Sequence, residues 1–320
     1  MIGISDEFYP LDLISKPSAQ LRAHIRENIV SGDWRVSTSD LLAGVFLDIA
    51  KENSLGLLLE CGAHKAEISI AFCERDMGLA FAFEANPYTF QNFTSLAASS
   101  GVKVIQKGLG SASGFMHLNI PLEDGLLTPG NASFLLRQTS DHNDSLSVEV
   151  TTVDVVLHEL TSEARIALWI DVEGLALEVL LGAKQSLENG RIELIHLECE
   201  IEEFWVGQAL LPEIDDFLRM LGFVPVLRDY QTISQFNVIY LKQALIGPSE
   251  IILQNYWDSL FRLPTGPSIL KHGMRVKDYL RDLKTYLLRR TGNRGKDFIH
   301  HLASILGSKS SKRIFSIREK

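Results

Sequence analysis

The sequence predicts an α/β fold: a mostly parallel, doubly wound sheet with an antiparallel hairpin at one edge and helical extensions at both ends. Three observations carry this expectation. From Leu57 to Gln243 short apolar runs alternate with helical patterns, as βαβ units do. The last two apolar runs, 223–227 and 236–242, have only a loop between them, too short for a crossover, so they pair antiparallel. The flanks carry helical periodicity and no strand pattern. The chain therefore divides into a helical lead-in (1–54), a sheet domain (55–243) and a helical extension (244–320).

Within the lead-in, helices are expected over roughly Ala19–Ile29 and Ser39–Lys51. Leu57–Cys61 is a strand, followed by a helix over Lys65–Arg75. "LAFAFE" (79–84) is the second strand. Pro87–Ala98 is the second helix, with proline in the first turn, where a missing N–H costs little. "VKVIQKGLG" (102–110) is read as the third strand. Residues 111–150 break the rhythm with two polar-alternating stretches, and an insertion there would overhang a pocket and set its specificity. "RIALWIDVEG" (165–174) is the next strand, "LALEVLLGAKQSL" one helix, and "RIELIHLECE" (191–200) the fifth strand. A helix over Ile214–Leu221 precedes the edge hairpin.

Composition narrows the function classes. The 320 residues are 46% hydrophobic, and no apolar run reaches the eighteen or so residues of a membrane span. "MIGISDEFYPLDLISKPS" lacks the basic start and apolar core of a secretory signal. Cys61, Cys73 and Cys199 are odd in number and widely spaced, which suits small core residues in a reducing, cytoplasmic setting. From Lys271 onward the chain holds 14 Lys and Arg against 4 Asp and Glu, a net of +10, so the first 270 residues carry −19. The basic stretch 271–306 is amphipathic. Packing on the acidic body is its first reading and peripheral contact with an anionic membrane the second. Nucleic acid is not expected, because no recognised binding motif accompanies the charge.

"LLLECGAHKAEISI" (57–70) is a strand, a tight turn and a helix, the place where open α/β sheets bind ligands. Only Gly62 is present, with His64 and Ala66 where a dinucleotide fingerprint wants further glycines, so NAD and FAD are not expected. The second strand ends in Glu84, 22 residues after Gly62, where a carboxylate can hold two ribose hydroxyls. One glycine and a ribose-binding acid suit a nucleoside without a diphosphate, S-adenosylmethionine above all. A generic turn with a surface glutamate fits the same two features.

Later motifs decide between these. "WIDVEGLALEVLLGA" (169–183) resembles the FkbM family of methyltransferases, in which a strand ending in Asp-(Val/Ile)-Glu-Gly leads into a helix ending in Leu-x-Gly-Ala. "ECGAHKA", "FAFEANPYTF", "GLGSASG", "VTTVDVVL" and "IHLECE" resemble the family's other motifs, in order, from about Leu57 to Gln243. The sequence departs from the pattern at Glu60 for Asp, His64 for Asn, Ala66 for Gly, Ala85 for Pro, and Trp169 where lysine is common. The resemblance implies a Rossmann-like class I methyltransferase fold and S-adenosylmethionine-dependent O-methylation, with a sugar, glycan or secondary-metabolite hydroxyl as acceptor. It implies a cofactor site at Glu60, Cys61, Gly62 and Ala63, at Glu84, Ala85 and Asn86, at Gly108 and Leu109, and at Asp171.

A hydroxyl acceptor must lose a proton, so a base is needed. Asp171 and Glu173 end the fourth strand. His196, Glu198 and Glu200 are spaced two apart on the fifth, hence on one face. Asp171, Glu173, His196 and Glu198 are the catalytic candidates, while Glu200 is expected to be solvated. The same acids could hold a divalent cation, but no metal is assigned. Phe204 and Trp205 could flank a sugar or pack under a loop. A non-catalytic scaffold whose basic tail recruits a partner or membrane, and a different nucleoside-dependent transferase, stay open as alternatives.

Overall fold

The computed structural model describes residues 23–25, 28 and 32–263, apart from 124, 125, 128, 139–142, 161, 231 and 233. The basic stretch 271–306 lies outside the described residues, as does most of the helix expected over Ala19–Ile29.

The chain opens with α1 (Gly32–Glu52), then β1 (Leu57–Cys61), α2 (Glu67–Glu74), β2 (Leu79–Phe83), α3 (Pro87–Ser99) and β3 (Lys103–Ile105). After α4 (Val153–Glu159) come β8 (Ile166–Ile170), α5 (Ala176–Leu181), α6 (Lys184–Glu188), β9 (Ile192–Glu200) and α7 (Leu211–Met220). The hairpin β10 (Phe223–Arg228) and β11 (Gln235–Lys242) precedes α8 (Ile246–Leu260). These strands form one seven-stranded sheet in the order β10-β11-β9-β8-β1-β2-β3. It is parallel from β9 to β3 and antiparallel at β11 and β10, so the doubly wound sheet and its edge hairpin stand as expected. The chain builds outward from β1 to β3 and then returns to β8 on the other side of β1. The order therefore reverses between β1 and β8, where such sheets leave a crevice.

Because side chains alternate across a strand, the sheet divides two cores. Leu58, Ala167, Trp169, Leu194 and Ile239 face α1 and α8, where Trp34, Phe46, Leu253 and Tyr256 cover them. Leu59, Leu168, Ile170, Ile195 and Val238 face the other way, against α4 to α7. The helices on either side of the sheet domain thus cover that face together with α2, whose Phe72 joins the same core. Polar bonds fix them there: the Asn53 amide donates to Ser249 Oγ at 3.0 Å, and the Tyr230 N–H donates to Thr38 Oγ1 at 3.0 Å.

Two expected elements are corrected. The third strand breaks after Ile105, where Lys107 N–H turns back onto the Ile105 carbonyl at 3.0 Å. Gly108–Leu109 (β4) leaves for a second sheet with β5 (Gly114–Glu123), β6 (Leu126–Leu127) and β7 (Asn143–Thr151), ordered β4-β7-β5-β6. The single helix expected after β8 is split at Gly182, where a Cβ would lie 2.0 Å from the Gly110 carbonyl oxygen. Backbones that close admit only glycine. The second half starts afresh on Asp154, whose carboxylate accepts Gln185 N–H (2.9 Å), Ser186 N–H (2.9 Å) and Ser186 Oγ–H (2.6 Å). Asp154 therefore joins α4 to α6. Asp154→Ala should lower unfolding free energy by roughly 1–2 kcal/mol, as loss of a helix-capping carboxylate does. Urea unfolding measures it, and an unchanged midpoint would show that the cap is redundant.

Candidate active site

The crevice begins at the turn after β1. Gly62 has φ +77°, and a Cβ there would lie 1.8 Å from the Asp171 carbonyl oxygen. No side chain fits between those backbones. The Asp171 N–H donates to the Cys61 carbonyl at 2.9 Å, and Gly62 and Ala63 donate to the Phe83 carbonyl. Three strand ends are thereby tied at one point. His64 and Ala66 then hold left-handed backbone, φ 47° and 55°. That conformation suits the Asn and Gly of the related motif and costs other residues about 1–2 kcal/mol each.

Over this point lies a cavity of about 460 Å³, within the range of small-molecule sites. One end is lined by Gly62, Glu84, Ala85, Gly108 and Leu109, the floor by Asp171, Val172 and Glu173, and the far end by Ser39, Trp169, Glu198 and Asn237. Its roof is Gly130–Phe134, from the segment between β6 and β7. Ser133 is locked there: its backbone exchanges bonds with Asn119, and its hydroxyl donates to the Glu173 carbonyl at 2.7 Å.

Glu84 is 9% exposed and held by two backbone donors, His64 N–H on Oε2 (2.9 Å) and Asn86 N–H on Oε1 (2.7 Å). A carboxylate has about four acceptor positions, so each oxygen keeps one for a ligand hydroxyl. Burial raises its proton affinity, while the two N–H bonds oppose that. The cavity thus offers a fixed, bidentate acceptor beside a turn without bulk, which fits a ribose.

The acids crowd at the other side. Asp171 opens onto the cavity but sits at its base, where desolvation and then the Asp229 charge push its carboxyl to about 6. Glu173 rises to about 8, through burial and then the charges of Asp171 and Glu200; Arg137 and a bond from Trp205 oppose this. Glu198 is raised well above its ordinary value, by burial first and then by Asp171 and Glu173. Glu200 is pushed to about 7 by burial, although Gln208 and Gln235 donate to it at 2.9 and 3.2 Å. Like charges in a desolvated site cannot all ionise. At neutral pH Asp171 is the carboxylate of the cavity floor that is ionised yet proton-hungry, as a general base should be.

Most of the expected site residues meet here: Gly62, Glu84, Ala85, Gly108, Leu109, Asp171, Glu173 and Glu198 all line the cavity. Five do not reach it with their side chains. Glu60, 3% exposed, turns to the start of α2, where its Oε2 accepts Ser69 N–H at 3.0 Å. Cys61 and Ala63 are core residues. Asn86 caps α3, accepting Tyr88 N–H at 3.0 Å. His196 stacks on Trp169 with ring centroids 3.4 Å apart and Phe46 against their edges, and burial lowers it to about 3. It is a neutral core ring rather than a proton carrier. Glu200, expected in solvent, is 2% exposed and hydrogen bonded. Trp205 packs, 1% exposed, beneath the loop. Sequence reasoning did not single out Ser39, Ser133 or Asn237. Ser133 falls in the stretch 111–150 expected to overhang the pocket, and Asn237 is a polar position inside the apolar run "FNVIYL", but Ser39 gave no signal.

Raised carboxyls have a consequence for stability. A group protonated in the folded state to a higher pH than in the unfolded chain contributes stability below its unfolded pKa and loses it as pH rises through the folded value. Glu60, pushed by burial to about 7, and Glu200 are both in that case. Stability should therefore fall between pH 5 and pH 8. Glu60→Gln, which keeps the acceptor without the charge, should remove roughly 2 kcal/mol of that fall. Urea unfolding across the range checks it, and a stability that rises with pH would refute it.

A magnesium protoporphyrin IX methyltransferase from Synechocystis PCC 6803, solved with bound S-adenosylmethionine, is similar at 10% identity and TM-score 0.38, over 74% of this chain and 90% of that one. A precorrin-6y C5,15-methyltransferase from Geobacter metallireducens GS-15 gives 14% and 0.34, over 62% and 86%. An rRNA methylase from Streptococcus thermophilus gives 8% and 0.36, over 62% and 93%. Likenesses this distant say nothing of the reaction or the acceptor. No curated protein matches. The family profile of the methyltransferase FkbM domain matches residues 60–225. That span is just over half of the chain and takes in the turn at Gly62, Glu84 and both acidic strand ends. The chain belongs to the FkbM family of S-adenosylmethionine-dependent methyltransferases.

Proposed function

We propose that this methyltransferase acts on oxygen, methylating a hydroxyl group of a sugar, glycan or secondary metabolite. The observation that carries the reading is the place of Asp171, whose carboxyl lines the base of the cavity where β1 and β8 part; burial and then the Asp229 charge raise its proton affinity. S-adenosylmethionine supplies an electrophilic methyl group on a sulfonium when bound. Glu84 would hold its ribose through the lone pairs that His64 and Asn86 leave open. Gly62 would let the backbone approach it, with Gly108 and Leu109 beside it. The sulfonium also suits a cavity in which Glu84, Asp171, Glu173 and Glu198 are the acidic lining and Lys107, engaged by Glu149 at 2.6 Å, is the one Lys or Arg among the described residues.

In-line transfer asks the protein chiefly to hold donor and acceptor in contact. Asp171 and Glu198 would lie nearest the transferred methyl, with Asp171 accepting the hydroxyl proton. Glu173 would position the roof, since its carbonyl holds Ser133 and its side chain meets Trp205. Trp169, in place of the lysine common in the family, keeps a cation away from Asp171 and so leaves its basicity intact.

Calorimetric titration with S-adenosylmethionine and its demethylated product should give micromolar affinity. Glu84→Ala should weaken it by roughly 10–100-fold, the loss of bonds to a charged acceptor. No binding to either ligand would sink the cofactor assignment. With an accepted hydroxyl substrate, kcat/KM should rise with pH through about 6 as Asp171 ionises, and Asp171→Asn should abolish the rise. A flat profile would remove Asp171 as the base.

A further inference from the structure

The far end of the cavity is chemically one-sided. Its walls are Ser39 from α1, Trp169 from β8, Glu198 from β9 and Asn237 from β11. Ser39 and Asn237 both lie outside the residues that the family profile matches. This wall therefore depends on how this chain's own flanking helix and edge hairpin fold back on the sheet.

Polar atoms at this end accept hydrogen bonds and donate few. Glu198 Oε2 is buried with no hydrogen-bond partner among the described residues. A buried carboxylate oxygen left unmatched costs free energy, and a native structure rarely leaves one without a reason. Beside it in register stands Asn237, whose amide nitrogen is committed to Asp229 Oδ2 at 2.8 Å while its N–H donates to Asp229 Oδ1 at 3.0 Å. What Asn237 retains is its amide oxygen, another acceptor. The indole of Trp169 is backed by the buried, neutral ring of His196, so no positive charge comes from behind. Arg228 is buried with its guanidinium 3.4 Å from the Phe236 ring centre, and Arg137 lies over Trp205 at 5.5 Å. Neither lines the cavity.

The acids point the same way. Four of them line the cavity beside Lys107, which Glu149 engages, and burial among like charges raises the proton affinity of Glu173 and Glu198. An acceptor carrying phosphate or carboxylate would raise it further. One carrying an ammonium would favour the ionised Glu198 and bring several N–H donors to the unmatched oxygens.

We infer that the far end of the cavity binds a protonated primary amine through Glu198 and Asn237, so that the methyl acceptor is a hydroxylated amine of the amino-sugar or amino-alcohol class, its hydroxyl at Asp171. This rests on the O-methyltransferase reading and names its substrate class. Glu198 is then the residue that reads the acceptor's charge, and Ser39 closes the opposite wall.

Calorimetry of the full chain tests it, with and without saturating S-adenosylhomocysteine, using glucosamine, N-acetylglucosamine and glucose as probes at neutral pH. Glucosamine should bind at least tenfold more tightly than the other two, because only it carries an ammonium. Glu198→Gln should erase that preference while S-adenosylhomocysteine affinity stays within about twofold. If Glu198→Gln does not fold, Ser39→Leu should lower glucosamine affinity at least tenfold by filling the wall. Equal affinity for the three sugars, no measurable glucosamine binding, or a preference that survives in both variants would overturn the inference. Binding of S-adenosylhomocysteine in the same titrations separates the two readings. If it binds and the amine preference is missing, the cofactor site stands and the amine site falls. If it fails to bind while the preference follows Glu198, the cofactor assignment falls alone.

Discussion

The contact on which the rest depends is the approach of Gly62 to the backbone of Asp171. A Cβ at position 62 would stand 1.8 Å from the Asp171 oxygen, and the neighbouring Asp171 N–H bonds to Cys61 at 2.9 Å. These are the two strands between which the sheet changes direction. Beyond this point the connections leave to opposite faces and cannot pair, so the crevice opens by topology rather than by any side chain. The turn into α2, the position of Glu84 on β2 and the exit of Asp171 from β8 all take their places from it.

The second constraint is charge. Sequence neighbours Asp171 and Glu173 and the β9 pair Glu198 and Glu200 are brought into one desolvated region with Asp229 behind. The protein meets their repulsion partly with bonds, from Gln208 and Gln235 to Glu200 and from Asn237 to Asp229. The remainder is met by protonation, which leaves Asp171 as the ionised floor carboxylate. A cation is the natural guest of such a cavity, and burial of the neutral His196 against Trp169 keeps the protein from supplying one itself.

Several of the conserved-looking motifs turn out to be architecture. Asp154 ties α4 to the start of α6, Gly182 lets that helix pass the Gly110 backbone, Asn86 caps α3, and Glu60 holds the start of α2. Asn86 and Glu60 sit within two residues of a cavity residue, which explains why motif and site are hard to separate there. Their work is to hold the strand ends steady, and a transfer reaction that depends on alignment needs that rigidity.

The sequence by itself determined the alternation of strands and helices, the edge hairpin and the positions of Gly62, Glu84 and Asp171, because strand period and turn chemistry are local properties. The direction in which a side chain points was legible only where the strand ended. Period 2 put His196 and Glu198 on one face correctly, but it could not tell that β9 carries His196 into the core under α1 and brings Glu198 out at the cavity. Glu60 and Cys61 were misread for a related reason. Both precede the glycine turn, and the pleat sends one to α2 and the other into the opposite core. Ser39, Ser133 and Asn237 come from a flanking helix, an inserted segment and the inner strand of the edge hairpin, parts of the chain far apart in sequence. Their meeting at one cavity is long-range packing, which no local pattern encodes, and only the tertiary structure decided it.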